Sequence, residues 1–199
     1  MLNYDLILAS ASPRRAEILS QIGVNFLVAS ASIDETPCPQ EPAADYVQRM
    51  ALEKVQKVLD TGTYSGPVLG ADTAVVLGCK IFGKPKHADD ALAMLSALSG
   101  NSHQVLTSVA VGDSKKCSVL TSSTEVRFRT ISAQECQTYW ETGEPEDKAG
   151  AYAIQGYAAV FVESIKGSYS GVVGLPIAET AQLLRQFSIP IWQPVTECP

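Results

Sequence analysis

Histidine is nearly missing from this chain, and so are long hydrophobic runs. Only His87 and His103 occur among 199 residues, which excludes a multi-histidine metal centre and leaves little material for a His-based catalytic triad. The five cysteines, Cys38, Cys79, Cys117, Cys136 and Cys198, are odd in number, scattered and never spaced as Cys-x-x-Cys. That pattern predicts free thiols in a reducing cytoplasm and no zinc site. Apolar stretches such as Val68–Leu69 and Thr73–Leu77 fall far short of the ~20 residues a bilayer span needs, so no membrane partner is expected. Basic residues are in deficit, with 15 Lys and Arg against 21 Asp and Glu for a net charge of −6. This argues against nucleic acid as a partner, yet a few converging bases can still hold a small anion. The start, Met1-Leu2-Asn3-Tyr4-Asp5, has neither a basic region nor a small-residue cleavage pattern, so no secretory leader is expected.

Familiar signatures are missing as well. There is no Gly-x-x-x-x-Gly-Lys-Ser/Thr phosphate loop, no Gly-x-Gly-x-x-Gly after a strand, no His-Glu-x-x-His and no Gly-x-Ser-x-Gly. Repeats, low-complexity tracts and linkers are likewise missing. With 46% hydrophobic and 18% charged residues the chain can bury a core of its own. One domain over residues 1–199, with room for two lobes around a cleft, is the expectation.

What is present is an apolar pattern that switches between strand-like and helix-like periods, the mark of an α/β fold. Leu6–Ala9 predicts a buried first strand, followed at once by Ser12 as N-cap, Pro13 as N1 and a helix through Ile18, Leu19 and Ile22 closed by Gly23. Phe26–Ala29 predicts a second strand. Pro42 opens a long helix carrying Tyr46, Val47, Met50, Val55 and Val58. Val68–Leu77 reads as a strand interrupted at Gly70-Ala71-Asp72-Thr73, and Gly78-Cys79-Lys80 as a turn. Asp89 and Asp90 belong in the first turn of a helix ended by Gly100. His103–Val111 and Ser118–Phe128 predict a long hairpin. Ser132-Ala133-Gln134-Glu135 is a capping box for a helix reaching Glu141. A strand at Ala158–Glu163, a loop at Gly167–Gly171 and a last helix begun by Pro176 complete a mixed twisted sheet flanked by helices on both sides.

Four places hold the materials of chemistry. At the first strand-to-helix junction, Ser10, Ser12, Arg14 and Arg15 can converge with backbone N–H groups on a phosphate, or be an ordinary N-cap with two solvated arginines. Its place at the carboxyl end of a strand favours a ligand. Asp72 is an acid inside an apolar strand, where a carboxylate must be paired, hydrogen-bonded or bound to a cation, and Lys84 follows in Gly83-Lys84-Pro85. Asp34 and Glu35, in a loop, can join Asp72 around a hard divalent cation or simply be solvated. Glu53 and Lys54 on the long helix read as a surface pair unless Lys54 meets the serine-arginine junction. In Asp147–Tyr157, Gln155 can offer a donor and an acceptor to a base edge, and Tyr152 or Tyr157 can stack on it; tight turn packing explains the same residues. His103 reads as a hydrogen-bonded structural residue.

Taken in order, Ser10-Ala11-Ser12-Pro13-Arg14-Arg15, Glu35, Lys54, Gly70-Ala71-Asp72-Thr73, Gly83-Lys84-Pro85, Ser99 to His103, Asp147-Lys148-Ala149-Gly150 to Ile154-Gln155-Gly156, and Gly167-Ser168-Tyr169 to Val173-Gly174-Leu175-Pro176 resemble the Maf-like nucleotide pyrophosphatases. The resemblance runs from about residue 6 to 185. It implies a metal-dependent hydrolase that cleaves a nucleoside triphosphate to the monophosphate and pyrophosphate, on a fold similar to the inosine triphosphate pyrophosphatases, with Mg²⁺ or Mn²⁺ as cofactor. Ile154-Gln155-Gly156 resembles the branch acting on dTTP and UTP, with modified pyrimidine nucleotides as further candidates. By the same matching Asp72 corresponds to the proton acceptor, and Arg14, Thr73 and Gln155 to positions of substrate choice. Ala153 stands where the family pattern has glycine. A homodimer is suggested by family likeness alone.

Phosphoanhydride hydrolysis needs charge neutralised on the triphosphate, a task for Arg14, Arg15, Lys54, Lys84 and a divalent cation, and a water placed in line with the α-phosphorus. Asp72, alone or as a metal ligand with Glu35, would orient and deprotonate that water. Two rival functions use similar groups: a non-catalytic nucleotide sensor acting on septum formation and cell division, and a phosphatase releasing orthophosphate.

Overall fold

The structure is a computed structural model that describes residues 4–193; the first three residues of the chain and Cys198 lie outside it. Seven strands pair as one mixed sheet: β1 (Leu6–Leu8), β2 (Phe26–Val28), β3 (Val68–Leu77), β4 (Lys80–Phe82), β5 (Ser102–Gly112), β6 (Cys117–Phe128) and β7 (Val162–Lys166). The order is β2-β1-β3-β5-β6-β7, with β4 on β3. β1 is parallel to both β2 and β3, whereas β4 on β3 and β7 on β6 run antiparallel.

The chain forms two compact units. One takes the chain through Asp72, Thr107–Thr121 and the chain from Gly174 onward; the other takes Thr73–Leu106 and Ser122–Val173. In the first unit α1 (Pro13–Gln21), α2 (Ala43–Leu59) and α6 (Ile177–Gln186) supply the helices. Ile7 and Ala9 pack with Ala51, Val55 and Val58 of α2 and with Val68 and Ala110. Alternation then turns Leu6 and Leu8 to the other face, and both are fully buried, so the sheet is covered on both sides there. The second unit holds α3 (Ala88–Leu98), α4 (Ala133–Glu141) and α5 (Tyr169–Val173). Its core combines Leu95, Leu98, Val105, Val126 and Phe128 with Tyr139, Tyr152 and Phe161, joined edge to face through Phe128, Tyr152 and His103.

Local signals located most elements. Ser12 is the N-cap of α1 and Pro13 its first residue, although the Ser12 hydroxyl makes no capping bond. Pro42 caps α2. Ser132 and Glu135 form the reciprocal capping box of α4. His87, to which the sequence assigned nothing, accepts the Asp90 N–H at the start of α3.

Three expectations are corrected. β3 is continuous through Gly70–Thr73, because Asp72 finds a partner there and does not break the strand. Residues Tyr157–Phe161 form a 3₁₀ turn, so the last strand begins at Val162; two backbone N–H groups at the start of that turn bond to Glu144 and not to a neighbouring strand. The Gly167–Gly171 stretch is loop only at its start, since α5 begins at Tyr169.

Candidate active site

The site is built around a lysine that has no reason to be inside. On α2, Tyr46, Val47, Met50, Ala51, Val55 and Val58 are buried, and Lys54 is buried among them. Spaced four residues from Met50 and from Val58, it lies on the apolar stripe of the helix. An ammonium there requires anions. It has two: Lys54 Nζ donates to Asp72 Oδ1 at 2.7 Å and lies 2.8 Å from Glu35 Oε1. The Lys54 and Asp72 side chains are only 8% and 11% exposed, and Glu35 is 45% exposed. The surface-pair reading of Lys54 is therefore wrong. The periodicity that places it with Met50 and Val58 was in the sequence all along.

Close approach of α2 to β3 makes the pair possible. A Cβ on Gly70 would lie 2.5 Å from the Ala51 carbonyl oxygen and 3.2 Å from Lys54 Cβ. Glycine thus lets the helix lie against the strand two residues before Asp72. Glu35 comes from an irregular segment pinned to α2 by residues that sequence reasoning passed over. The Tyr46 hydroxyl donates to the Glu35 carbonyl oxygen at 2.9 Å. Arg49 grips Glu41 through Nε and Nη2, both at 2.7 Å, and reaches the Thr36 carbonyl at 3.2 Å. Hydrogen bonds from Arg49 and then from the Cys38 N–H hold Glu41 well below its usual range, at about 2. Burial raises the Tyr46 phenol, with the Asp72 and Glu35 charges adding to it, so Tyr46 remains a donor.

The serine-arginine junction supplies cations. Ser10 is buried, and its hydroxyl oxygen accepts from the Ser12 N–H and from Arg15 Nη1, each at 3.2 Å. Arg15 Nε donates to the Gly174 carbonyl at 2.8 Å, which fixes the guanidinium. Burial pulls the Arg15 value down; Asp72 opposes this, Arg14 adds to it and Glu35 opposes it. The charges of Asp72, Arg14 and Glu35 are thus each felt at Arg15. With Lys54 the cluster holds three cations against two carboxylates, a local excess of positive charge in a chain whose net charge is −6. Such a place suits a polyanion.

The first unit thus brings together Ser10, Ser12, Arg14, Arg15, Glu35, Lys54 and Asp72. The other expected site residues belong to the second unit. Thr73 follows Asp72 on β3 and is half-buried, Lys84 is exposed just after β4, and Gln155 is exposed in a turn. Tyr152 is buried against His103 and Phe128, so of the two tyrosines offered for stacking only Tyr157 is exposed. Asp34 spends an oxygen on the Thr36 N–H. Among the described residues no group of three or more His, Cys, Asp and Glu has the geometry of a metal cage. Asp72 and Glu35 each place one carboxylate oxygen on the Lys54 ammonium, and carboxylate oxygens are the donor type that hard divalent cations take.

A family model described as Maf-like protein matches residues 5–187. The chain belongs to the Maf-like family. A dTTP/UTP pyrophosphatase of Hahella chejuensis is 54% identical over 189 residues, 94% of each chain. One from Pasteurella multocida is 48% identical over 200 residues, covering 96% of this chain and 100% of its own. Among solved structures, a HAM1 protein from Coxiella burnetii aligns with 92% of this chain and 99% of its own, at 14% identity and a TM-score of 0.49. The resemblance drawn from ordered motifs therefore holds for this Maf-like chain over nearly its whole length. Ala153, its departure from the family pattern, is not among the residues with positive φ, so its methyl group strains no backbone. Ala151, at φ 59°, is the residue in that segment held in a conformation glycine would adopt more easily. No described helix is long and apolar enough to cross a membrane.

Proposed function

We propose that the protein hydrolyses dTTP and UTP, and modified pyrimidine triphosphates, to the nucleoside monophosphate and pyrophosphate, as the names of its relatives indicate for those proteins. The observation that carries this reading is the buried Lys54 joined to both Glu35 and Asp72. Replacing a buried ion pair by apolar side chains is often neutral or stabilising. Stability alone therefore does not call for one here, and charged groups buried beside a cationic junction are a mark of a functional site.

In this mechanism Arg14 and Arg15 bind the phosphate oxygens at the first strand-to-helix junction, with the Ser10 and Ser12 groups bordering them. Lys54 fixes Asp72 through Oδ1, so that the carboxylate can hold a water against the α-phosphorus and take its proton. The water oxygen bonds to the α-phosphorus as the bond from that phosphorus to the α–β bridging oxygen breaks, and pyrophosphate leaves with the bond's electron pair. Glu35 and Asp72 would hold a divalent cation, Mg²⁺ or Mn²⁺, which supplies charge neutralisation on the phosphates when bound. For Lys84, Thr73 and Gln155 we take the roles that the resemblance implies, charge neutralisation for Lys84 and substrate choice for Thr73 and Gln155. We read residues 1–199 as a single functional domain of a cytoplasmic enzyme, and a dimer as the assembly to look for by sedimentation.

Purified protein incubated with Mg²⁺ or Mn²⁺ and a nucleotide panel tests this. Equimolar pyrophosphate and monophosphate from dTTP and UTP, lost on chelation, is the expected result. Stoichiometric binding without product would establish a sensor instead, and orthophosphate as the product would establish a phosphatase.

A further inference from the structure

The turn that carries Gln155 is fastened at both ends by one carboxylate. On its leading side the Ala153 N–H donates to the Tyr139 hydroxyl oxygen at 3.1 Å, and that hydroxyl donates to Glu144 Oε1 at 2.7 Å. Following it, the Tyr157 N–H donates to Glu144 Oε2 at 3.0 Å and the Ala158 N–H to Oε1 at 3.3 Å. Between these anchors the Gly156 N–H closes back on the Ala153 carbonyl at 3.0 Å. A Cβ on Gly156 would overlap the Glu144 carboxylate, which is how the turn can lie directly on it. One residue before Ala153, the Tyr152 hydroxyl is hydrogen-bonded to His103 Nε2 at 2.8 Å. The backbone on either side of Gln155 is thus tied to the body of its unit, and Gln155 itself is exposed.

We infer that Glu144, acting partly through Tyr139, is a positioning residue that fixes Gln155 for reading the nucleobase. This rests on the function proposed above and adds to it the device that sets base selectivity. A glutamine discriminates bases by one donor and one acceptor, and such contacts lose their selectivity when the supporting backbone shifts by about an ångström. Glu144 accepts from three donors at once, two backbone N–H groups and a phenol. A glutamine in its place has a single carbonyl oxygen with two lone pairs, and its NH₂ would face a donor, so at least one anchor must fail.

The test is a kinetic comparison of Glu144→Gln, Tyr139→Phe and Gln155→Ala on UTP, CTP and GTP with pyrophosphate detection. Glu144→Gln is expected to lower the ratio of kcat/KM for UTP over CTP and GTP by roughly tenfold or more, with KM for UTP rising more than kcat falls. Tyr139→Phe, which keeps the ring and most of the fold, should shift the ratio in the same direction by a smaller factor. Once Gln155→Ala is present, adding Glu144→Gln should leave the ratio where it is. Unchanged ratios in Glu144→Gln and Tyr139→Phe, or equal losses on all three nucleotides, would overturn the inference. Should Glu144→Gln fail to fold, Tyr139→Phe decides alone. A wild-type protein that releases no pyrophosphate would instead sink the proposed function, so the two failures are distinct.

Discussion

Removing the ammonium of Lys54 should cost far more stability than removing the carboxylate it serves. In Lys54→Met the helix loses nothing in propensity or packing volume, but Asp72, buried beneath it at 7% exposure, loses the ammonium that donates to it at 2.7 Å and keeps the Arg15 charge. Breaking one half of a buried pair typically costs about 3–5 kcal/mol. For a chain of this size each kcal/mol moves Tm by roughly 2–4 °C, so a fall of roughly 6–20 °C is expected. Asp72→Asn removes the other half, but Lys54 still has Glu35 at 2.8 Å, and that carboxylate is half in water. The cost should then be nearer the ~1–3 kcal/mol of one disturbed buried hydrogen bond. The double variant leaves no half-broken pair, so it should be more stable than Lys54→Met alone, with a coupling of at least ~1 kcal/mol in the cycle. Thermal and urea unfolding followed by circular dichroism give these values. Pyrophosphate release gives the other half of the argument: Asp72→Asn should keep its fold and nucleotide binding yet lose ~10²–10⁴ in turnover, the range for a positioned base. Lys54→Met within about 1 kcal/mol of wild type would refute this reasoning, which rests on the typical cost of a half-broken buried pair. Turnover at the wild-type rate in Asp72→Asn would remove that residue from the mechanism.

Gly70→Ala places a methyl group against the Ala51 carbonyl and should cost ~1–3 kcal/mol as an overpacked contact. Because it also pushes Lys54 away from Asp72, activity should fall with it, and a fully active variant would contradict the packing account. Gln155→Glu should alter the ratio of rates among nucleotides more than the maximal rate on the best one, whereas uniform loss would mean that Gln155 does not read the base. His103 sits at about 4, below its ordinary 6.5, because burial disfavours the charged ring. The unfolded chain therefore takes up a proton that the folded chain refuses, so this contribution is complete above pH 6.5 and is lost as pH falls through about 4. At ~1.4 kcal/mol for each pH unit separating the two, roughly 3 kcal/mol is at stake. Tm measured from pH 7 to 4 should fall less steeply in His103→Phe than in wild type; parallel curves would rule this out. Ser132→Ala breaks the capping box of α4 and should cost ~0.5–2 kcal/mol, read as a drop in Tm without change in base preference.

Sequence by itself determined the features whose causes are local. The starts of α1, α2 and α4 follow from Ser12-Pro13, Pro42 and the Ser132–Glu135 box, because proline's fixed φ suits a helix start and the box is satisfied within one turn of chain. The strands that flank these helices follow from apolar periods, and family membership follows from motifs in order along nearly the whole chain. Candidates for the site could be named from the sequence; the arrangement of Lys54, Asp72 and Glu35 could not. Lys54 looked like half of a surface pair because its partners lie far along the chain: the approach of α2 to β3 over Gly70 brings Asp72 to it, and the segment pinned by Tyr46 and Arg49 brings Glu35. Residues 158–161, which belong to the 3₁₀ turn, passed for the start of a strand, since their apolar composition suits either state. What decides between them is Glu144, thirteen residues earlier than Tyr157. Where a charge or a backbone donor is satisfied across such distances, pairing is settled by tertiary packing, and no local pattern encodes it.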